Sequence, residues 1–589
     1  MNNNLLTALI YDEKDATLFL KVKPHVDQIL PITPNARAIL LESKIPLINT
    51  VDICTDYRQA RVLARVRRME RTFLSALENE EYIGVAAKET LRGVVHALCS
   101  ISASFWELVK DLGPCLLPDG KGWIKLVDPK EIHQLLMKHL QPQIQKTMIR
   151  VIGLPVFPLI IKMINGFALL FWKGRSTVCF SDFNYGLKKL PHKKNNNFYS
   201  ISLHCTKGGW KDTIHAMKFL WDTLRNKKTC SIIVVPEYLS QSAAAVQKIL
   251  NTIRDPISWM GIKFVYDPLV KTTALFDSSI EDIKKTFDKL KPHQIIAGQL
   301  RWQAAAVLAE VGKKNNTPVT LISHGSHTVP DSSVAAFEHQ ENAQGLLISP
   351  LSDITLLQSP HAEAYALKLY CTNGQRSRPI QWGTSKIAVT SSNAQTRHIL
   401  HAGSYKQWVS PRPWIYETPD EFIKGLTSLI LATSNINNTK LVIRIRTQPD
   451  CSLTNLQKLL PHGDHYEIKS SGSFSDDMSK ADLLVSWSST TIEEALHLRK
   501  PVLLWGGSSR YFHLPPCRKF PIPRNRSEVY APETIDDLSP MIEAILESHA
   551  GIPLTEEELK NHVWPNNIPG VDESTRQLGS RDNNLKCSK

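Results

Sequence analysis

The sequence predicts an α/β protein in which two doubly wound parallel sheets follow one another, preceded by an α-rich N-terminal region. Three observations predict it. At 589 residues the chain exceeds what one hydrophobic core holds, so about three or four domains are expected. From about residue 196 onward, short apolar runs alternate with segments of roughly 10 to 14 residues at helical spacing, the signature of parallel strands joined by helical crossovers. The stretch 481–507, ADLLVSWSSTTIEEALHLRKPVLLWGG, holds one complete unit of that kind. An apolar run breaks into Ser488-Ser489-Thr490-Thr491, a helix-like piece carries Glu493 and Glu494, and a second apolar run follows Pro501.

Taken in order, TALIYD and ATLFLKV read as short strands, and Thr33-Pro34 as an N-cap with proline at the first helical position. Helical spacing over 57–77 and 85–112, interleaved with Arg and Lys, predicts two long helices, continued by another over about 129–145. Residues 1–145 are therefore an α/β-plus-helical region. Residues 146–195 read as a basic and apolar linker. Within it, 151–172 (VIGLPVFPLIIKMINGFALLFW) is long enough to cross a bilayer, but Pro155, Pro158, Lys162 and Asn165 make a true span costly. A buried strand and helix, or a segment lying in the headgroup region and favoured by the flanking basic residues, fits better.

The first doubly wound domain is placed at 196–380. Its strands are NFYSISLHC, SIIVVPEYL, IKFVYDP, HQIIAG and PVTLIS, with helices over 213–224, 242–253, 280–290 and 301–311 between them. The second occupies 381–565: KIAVT, RHILHAG, KLVIRIRTQ and HYEIKS as strands, helices over 419–433 and 453–460, then the 481–507 unit and closing helices. Residues 566–589 are polar and aperiodic, the pattern of a disordered tail.

Seventy Lys and Arg against 56 Asp and Glu give a net charge of +14, which points to an anionic partner. The excess is concentrated: between 141 and 195 stand Lys146, Arg150, Lys162, Lys173, Arg175, Lys188, Lys189, Lys193 and Lys194 against Asp182 alone. An anionic membrane surface suits that stretch, and no nucleic acid is expected. The ten cysteines are scattered without a C-x-x-C pair, which fits a reduced, cytoplasmic setting and no structural metal. The N-terminus carries no basic and apolar signal pattern. Phosphate-loop, zinc-protease and EF-hand patterns are missing, as is a D-x-D motif, so no metal and no cofactor is expected.

The 481–507 segment resembles the donor-binding segment of two-domain GT-B glycosyltransferases, and of the sugar-nucleotide 2-epimerases that share their architecture. It is closest to bacterial surface-polysaccharide enzymes of the Kdo-transferase type and to those transferring glycerol phosphate from CDP-glycerol. The resemblance implies two tandem Rossmann-like domains, GT-B-like, with the acceptor side first and the nucleotide-donor side second, facing each other across a cleft. It implies that Ser488, Ser489 and Thr490 bind the donor's phosphates at a helix start and that Glu494 accepts the ribose hydroxyls. Glu493, its helical neighbour, should face elsewhere.

In such enzymes the strand corresponding to LVIRIRTQP ends in Arg-x-His-Pro. Here Arg444-Ile445-Arg446-Thr447-Gln448-Pro449 lacks the histidine, and Arg444 and Arg446 are the phosphate-clamp candidates. Ser323-His324-Gly325, after a strand, matches the His-Gly of the glycerophosphate-transferring relatives, so His324 is the expected base for the acceptor hydroxyl, with His327 nearby. Asp212, after Lys207-Gly208-Gly209, and Glu237, after Pro236, are alternative bases, although loop chemistry explains both. Ser359 is expected to cap a helix starting at Pro360.

The expected function is metal-independent transfer of a sugar from a nucleotide-sugar donor to a cell-surface glycan or lipid-linked acceptor, at the inner face of the cytoplasmic membrane. CDP-glycerol-type polyol-phosphate transfer, sugar-nucleotide 2-epimerisation and a non-catalytic nucleotide-binding assembly role are the alternatives.

Overall fold

The computed structural model describes residues 5–41, 43–81, 83–118, 122–136, 156–172, 177–180, 199–205, 210–234, 248, 283–301, 303–323, 327–379, 396–407, 410 and 412–575. The chain divides into two compact units, one of Met1–Arg65, Ser100–His139 and Trp382–Val563, the other of Val66–Cys99, Leu140–Gln381 and Trp564–Lys589.

The first unit holds a six-stranded, wholly parallel sheet. Its spatial order is Tyr466–Lys469, Thr439–Ile445, Arg397–Gly403, Leu483–Ser486, Val502–Leu504, Val529–Tyr530. Numbered along the chain this is 3-2-1-4-5-6, the doubly wound order whose direction of growth reverses between the first and fourth strands. Both faces are covered, as parallel strands require. Ile399, Leu441, Ile443, Leu483 and Val485 meet the helices Pro419–Ser434 and Leu538–Ser548 on one side, and Leu400, Leu484, Val502 and Leu504 meet the helix Thr491–His497 on the other. Alternation of side chains along each strand makes the two cores.

The same unit includes a four-stranded sheet in the order Gln28–Pro31, Thr7–Ile10, Cys115–Pro118, Trp123–Leu126, the last strand antiparallel. Here the structure departs from the expectation of a strand at ATLFLKV, because Glu13–Val22 is a helix. The Asp12 side chain accepts from the N–H groups of Lys14 and Asp15, and Lys23 closes the far end in the left-handed region. Capping at both ends decides the local conformation over a run whose apolar alternation alone suits a strand. Thr33 caps Pro34–Leu40 as expected, its hydroxyl accepting from Ala36 N–H at 3.3 Å.

The second unit is built on a seven-stranded parallel sheet: Gly374–Arg376, Ile354–Leu357, Val319–Ile322, Gln294–Ala297, Thr177–Phe180, Tyr199–Cys205, Thr229–Val234. Along the chain this is 7-6-5-4-1-2-3, the same topology with one strand more. The architecture is therefore two tandem Rossmann-like, GT-B-like sheets, with long helices Asp56–Glu78 and Val85–Leu112 in the N-terminal region. The sheet's first strand, Thr177–Phe180, lies inside the stretch read as a linker, and the helix Val156–Phe171 precedes it. Of its described apolar residues, Ile161, Ala168, Val178 and Cys179 are buried, whereas Leu159, Met163, Phe167 and Leu170 are exposed.

Residues 566–575 differ from the tail expectation. Val571 is fully buried against Val178, Ile296, Ile322 and Leu356, and Arg378 exchanges backbone hydrogen bonds with Pro569 and Val571. One apolar side chain and a short bridge anchor a segment whose composition is otherwise polar. The expected elements over 242–253, 262–268 and 386–390 lie outside the described residues.

Candidate functional site

In a sheet of order 3-2-1-4-5-6, the loops leaving the first and fourth strands diverge and open a crevice at the carboxyl ends. Those loops begin at Gly403 and Ser486. Ser486 is fully buried and its hydroxyl donates to Ala402 O at 2.7 Å, which ties the two strands together at the reversal point. Just beyond, Lys406 Nζ donates to Ser488 Oγ at 2.7 Å and also to Ser488 O. The cation of one loop is therefore seated on the hydroxyl cluster of the other.

His401, Ser404, Lys406, Glu417 and Ser488 line a narrow cavity there, closed by Trp487, Trp505, Gly506 and Gly507. Its ionisable groups are held away from their ordinary states. Burial, reinforced by Arg412 and opposed by Glu417, lowers Lys406 to about 8. Burial and Glu421 raise Glu417 to about 8, against the pull of Lys406, the Gly507 N–H and Arg510. Burial lowers His401 to about 4, and its Nδ1 has no hydrogen-bond partner among the described residues. An unpartnered buried imidazole nitrogen, beside a lysine and a glutamate that burial holds toward neutrality, lines a cavity that a polar ligand can complete.

Glycine builds the wall. A Cβ on Gly507 would meet Glu421 O at 1.7 Å, one on Gly506 would meet Trp487 Cγ at 2.4 Å, and one on Gly425 would meet Gly507 N at 2.8 Å. The loop after the fifth strand thus lies directly on the helix Pro419–Ser434, a closeness only glycine permits. Alongside, an open cleft of about 370 Å³ is lined by Trp487, Trp505, Gly507, Ser508, Phe512, Arg518 and Thr534 among others. That is the size class of small-molecule sites, with apolar walls and a few polar groups.

The two adjacent glutamates have separate fates. Glu493 is hydrogen-bonded to His513 Nε2 at 2.8 Å, and His513 Nδ1 to Tyr511 OH at 2.9 Å. Glu494 has no hydrogen bond to its carboxylate among the described residues, and burial together with the Glu493 charge raises it to about 7. Thr490 opens the helix Thr491–His497 without a side-chain cap, and Ser489 Oγ accepts from Thr491 N–H at 3.3 Å. The hydroxyls at 488–490 are therefore only partly used by the fold.

Arg444 and Arg446 also part company. The Arg444 guanidinium pairs with Asp477 and donates to Gly472 O at 3.0 Å, while Lys469 holds the other Asp477 oxygen at 2.7 Å. These contacts hold Arg444 against the helix Phe474–Lys480. Arg446 lies one step beyond the strand, its backbone N–H 3.4 Å from Gly403 O, with an exposed side chain and no ion pair among the described residues.

His324 and Glu237, like Lys207, Gly208 and Gly209, lie outside the described residues. Ser323 is buried and Gln358 N–H donates to its hydroxyl at 3.3 Å. Asp212 sits in the first turn of Trp210–Arg225, where a carboxylate complements the free N–H groups of a helix start. Ser359 caps Pro360–Lys368 as expected, accepting from Ala362 N–H at 3.1 Å.

Lys406, Glu417 and His401 escaped the sequence reading. The signal was present in HAGSYK, a lysine three residues after a strand-ending glycine, but seating Lys406 on Ser488 needs the 3-2-1-4 crossover. Arg510 was missed for the same reason. It forks onto both Glu421 oxygens at 2.9 and 3.1 Å and donates to Cys54 O and Tyr416 O.

No protein-family model matches the chain, and no curated protein matches it in sequence. Solved structures do resemble it. UDP-GlcNAc 2-epimerase from Neisseria meningitidis, bound to UDP-GlcNAc, is 12% identical over 70% of this chain and 100% of its own, with a TM-score of 0.37. MurG from Acinetobacter baumannii is 9% identical over 69% and 100%, with a TM-score of 0.35. The wall teichoic acid polymerase TagF is 8% identical over 76% and 99%, with a TM-score of 0.34. The tandem parallel sheets rest on the chain's own strand pairing.

Proposed function

We propose that the six-stranded domain binds a nucleotide-sugar donor and that the chain is a glycosyltransferase acting on a cell-surface glycan or lipid-linked acceptor. The observation that carries this reading is the seat made by Lys406 and Ser488 at the topological reversal point of the sheet. Lys406, Ser488, Ser489 and Thr490 take the diphosphate, with Arg446 at the rim. Glu494 accepts the ribose hydroxyls, since its carboxylate has unused acceptor capacity. The cleft lined by Trp505, Ser508, Arg518 and Thr534 receives the base.

Transfer leaves a diphosphate whose charge increases as the glycosidic bond breaks. Lys406, already fixed against Ser488, stabilises that charge without reorganising, so turnover is expected to persist in a chelator. His324 is the proposed base for the acceptor hydroxyl, with Asp212 and Glu237 as substitutes. Polyol-phosphate transfer is the second reading, favoured by the His324-Gly325 pair.

The test is a thermal-shift panel of UDP, CDP, CMP, GDP and their sugar and glycerol conjugates, because a ligand that binds only the folded chain raises its stability. One base series should raise the melting point, and Glu494→Ala should remove the ribose-dependent part of the gain. If no nucleotide moves the transition at millimolar concentration, the donor site is lost. A CDP-glycerol response without any nucleotide-sugar response would select the second reading.

A further inference from the structure

Two helices of the seven-stranded unit carry apolar side chains on their outer as well as their inner faces. In Val156–Phe171 the inner face is set by Ile161, which packs with Ala216 and Ile233, and by Asn165. The Asn165 amide donates to Ile233 O at 2.7 Å and accepts from Ile233 N–H at 3.2 Å. Ile233 belongs to Thr229–Val234, the last strand in the sheet order, so the carboxamide satisfies peptide groups that an edge strand leaves open. These contacts fix the helix's rotation. They leave Leu159, Met163, Phe167 and Leu170 outward, at successive steps of four, four and three, with Leu170 79% exposed.

The helix Trp210–Arg225 repeats the pattern. Thr213, Ala216 and Thr223 are buried, whereas Trp210, Ile214, Met217, Trp221 and Leu224 are exposed, Trp221 by 68%. The Phe157 and Trp210 rings meet edge to face at 6.1 Å, so the two helices are neighbours. Single exposed apolar residues are ordinary, but two adjoining stripes of this kind mark an interaction surface.

Charge selects the partner. Lys211, Lys218 and Arg225, all exposed, recur every seven residues and so form one row along the second helix. At about 100° per residue that row lies roughly 80° round from the Trp210–Ile214–Met217–Trp221 stripe, with Asp222 the exposed acid on its far side. The first helix carries Lys162 as its one ionisable side chain. Aromatic and aliphatic residues bordered by a cationic row fit a helix lying in the plane of a membrane interface. At 16 residues each helix spans about 24 Å, short of a hydrocarbon core of about 30 Å. Among the described residues no helix is long and apolar enough to cross a membrane.

We propose that this two-helix face docks on the surface of an anionic phospholipid bilayer. Leu159, Phe167, Leu170 and Trp221 enter the headgroup–acyl boundary, and Lys211, Lys218 and Arg225 meet the lipid phosphates. The inference is independent of the donor site.

The experiment is vesicle flotation of the full chain with phosphatidylcholine alone and with about 30% phosphatidylglycerol, at low and high salt, alongside tryptophan emission. Binding should require the anionic lipid, weaken with salt and shift the emission to the blue. Lys211→Gln/Lys218→Gln/Arg225→Gln should cost on the order of a hundredfold in partitioning with the unfolding midpoint unchanged. Leu170→Glu/Trp221→Glu should abolish binding, and Leu170→Ala/Trp221→Ala should weaken it while sparing the fold. The proposal is overturned if the chain ignores phosphatidylglycerol vesicles or if these variants partition like the parent. It is equally overturned if the chain is a dimer that Leu170→Glu/Trp221→Glu converts to monomer, since a second copy then covers the face.

Discussion

Two buried acid–base clusters lie four residues apart at the start of the helix Pro419–Ser434, and they are built to opposite ends. Glu421 is held by both arms of Arg510 and also completes the capping box with Thr418, whose N–H donates to it at 2.8 Å. Each of its oxygens has a partner, and Arg510 is raised well above its ordinary value by Cys54, Glu421 and Asp56 despite burial. Glu417 instead faces Lys406 across a cavity, and both groups titrate near 8. A satisfied pair stays charged and holds a structure together. A lysine and a glutamate that burial pushes toward neutrality beside a cavity can change charge when a ligand enters.

The largest effect expected from this contrast is on stability. Arg510→Met removes the buried cation that both Glu421 oxygens meet, which should cost about 3–5 kcal/mol in denaturant unfolding. Lys406→Met removes a cation that burial already disfavours, so it should change stability little while lowering nucleotide affinity by roughly ten- to a hundredfold in titration calorimetry. Equal stability losses in the two variants would erase the distinction.

The pH dependence sharpens it further. Glu417 is raised from 4.5 to about 8, so between those values the folded chain holds a proton that the unfolded chain has lost. Stability should therefore fall as pH rises through that window. Lys406 is lowered from 10.5 to about 8, so above 8 the unfolded chain holds the extra proton and stability should recover. A Tm minimum near pH 8, flattened on its acid side by Glu417→Gln, is the expected record. Nucleotide affinity should follow the Lys406 charge and decline above about 8, and Lys406→Met should remove that decline.

The smallest effects concern the two strand arginines. Arg446→Gln should weaken nucleotide binding a few-fold and reduce its salt dependence, as a rim charge does. Arg444→Gln should leave affinity unchanged and lower the unfolding midpoint instead. A reversal of these outcomes would restore Arg444 to the site.

Much of the fold was legible because local patterns and long-range packing agree. Parallel strands buried on both faces read as continuous apolar runs, so LVIRI, LLVS and VLLW could be recognised without their partners. ATLFLKV failed because its alternation suits a strand, while Asp12 and Lys23, at its ends, cap a helix. Val571 failed because a single buried side chain cannot outweigh the polar composition around it.

Within the site, the sequence by itself determined the hydroxyl cluster at 488–490 and the separation of Glu494 from Glu493. Those properties live within one stretch of chain, where helical and strand periodicity set direction. Only the tertiary structure decided that Lys406 sits on Ser488, that Glu417 shares its cavity, that Arg444 belongs to Asp477, and that Arg510 locks Glu421. Each of those pairs joins residues more than ten positions apart. Lys406 and Glu417 meet within one loop, through the Glu417 N–H bond to Lys406 O. The other encounters are set by the order in which parallel strands cross over, and a charged side chain's role depends on which partner that path brings within reach.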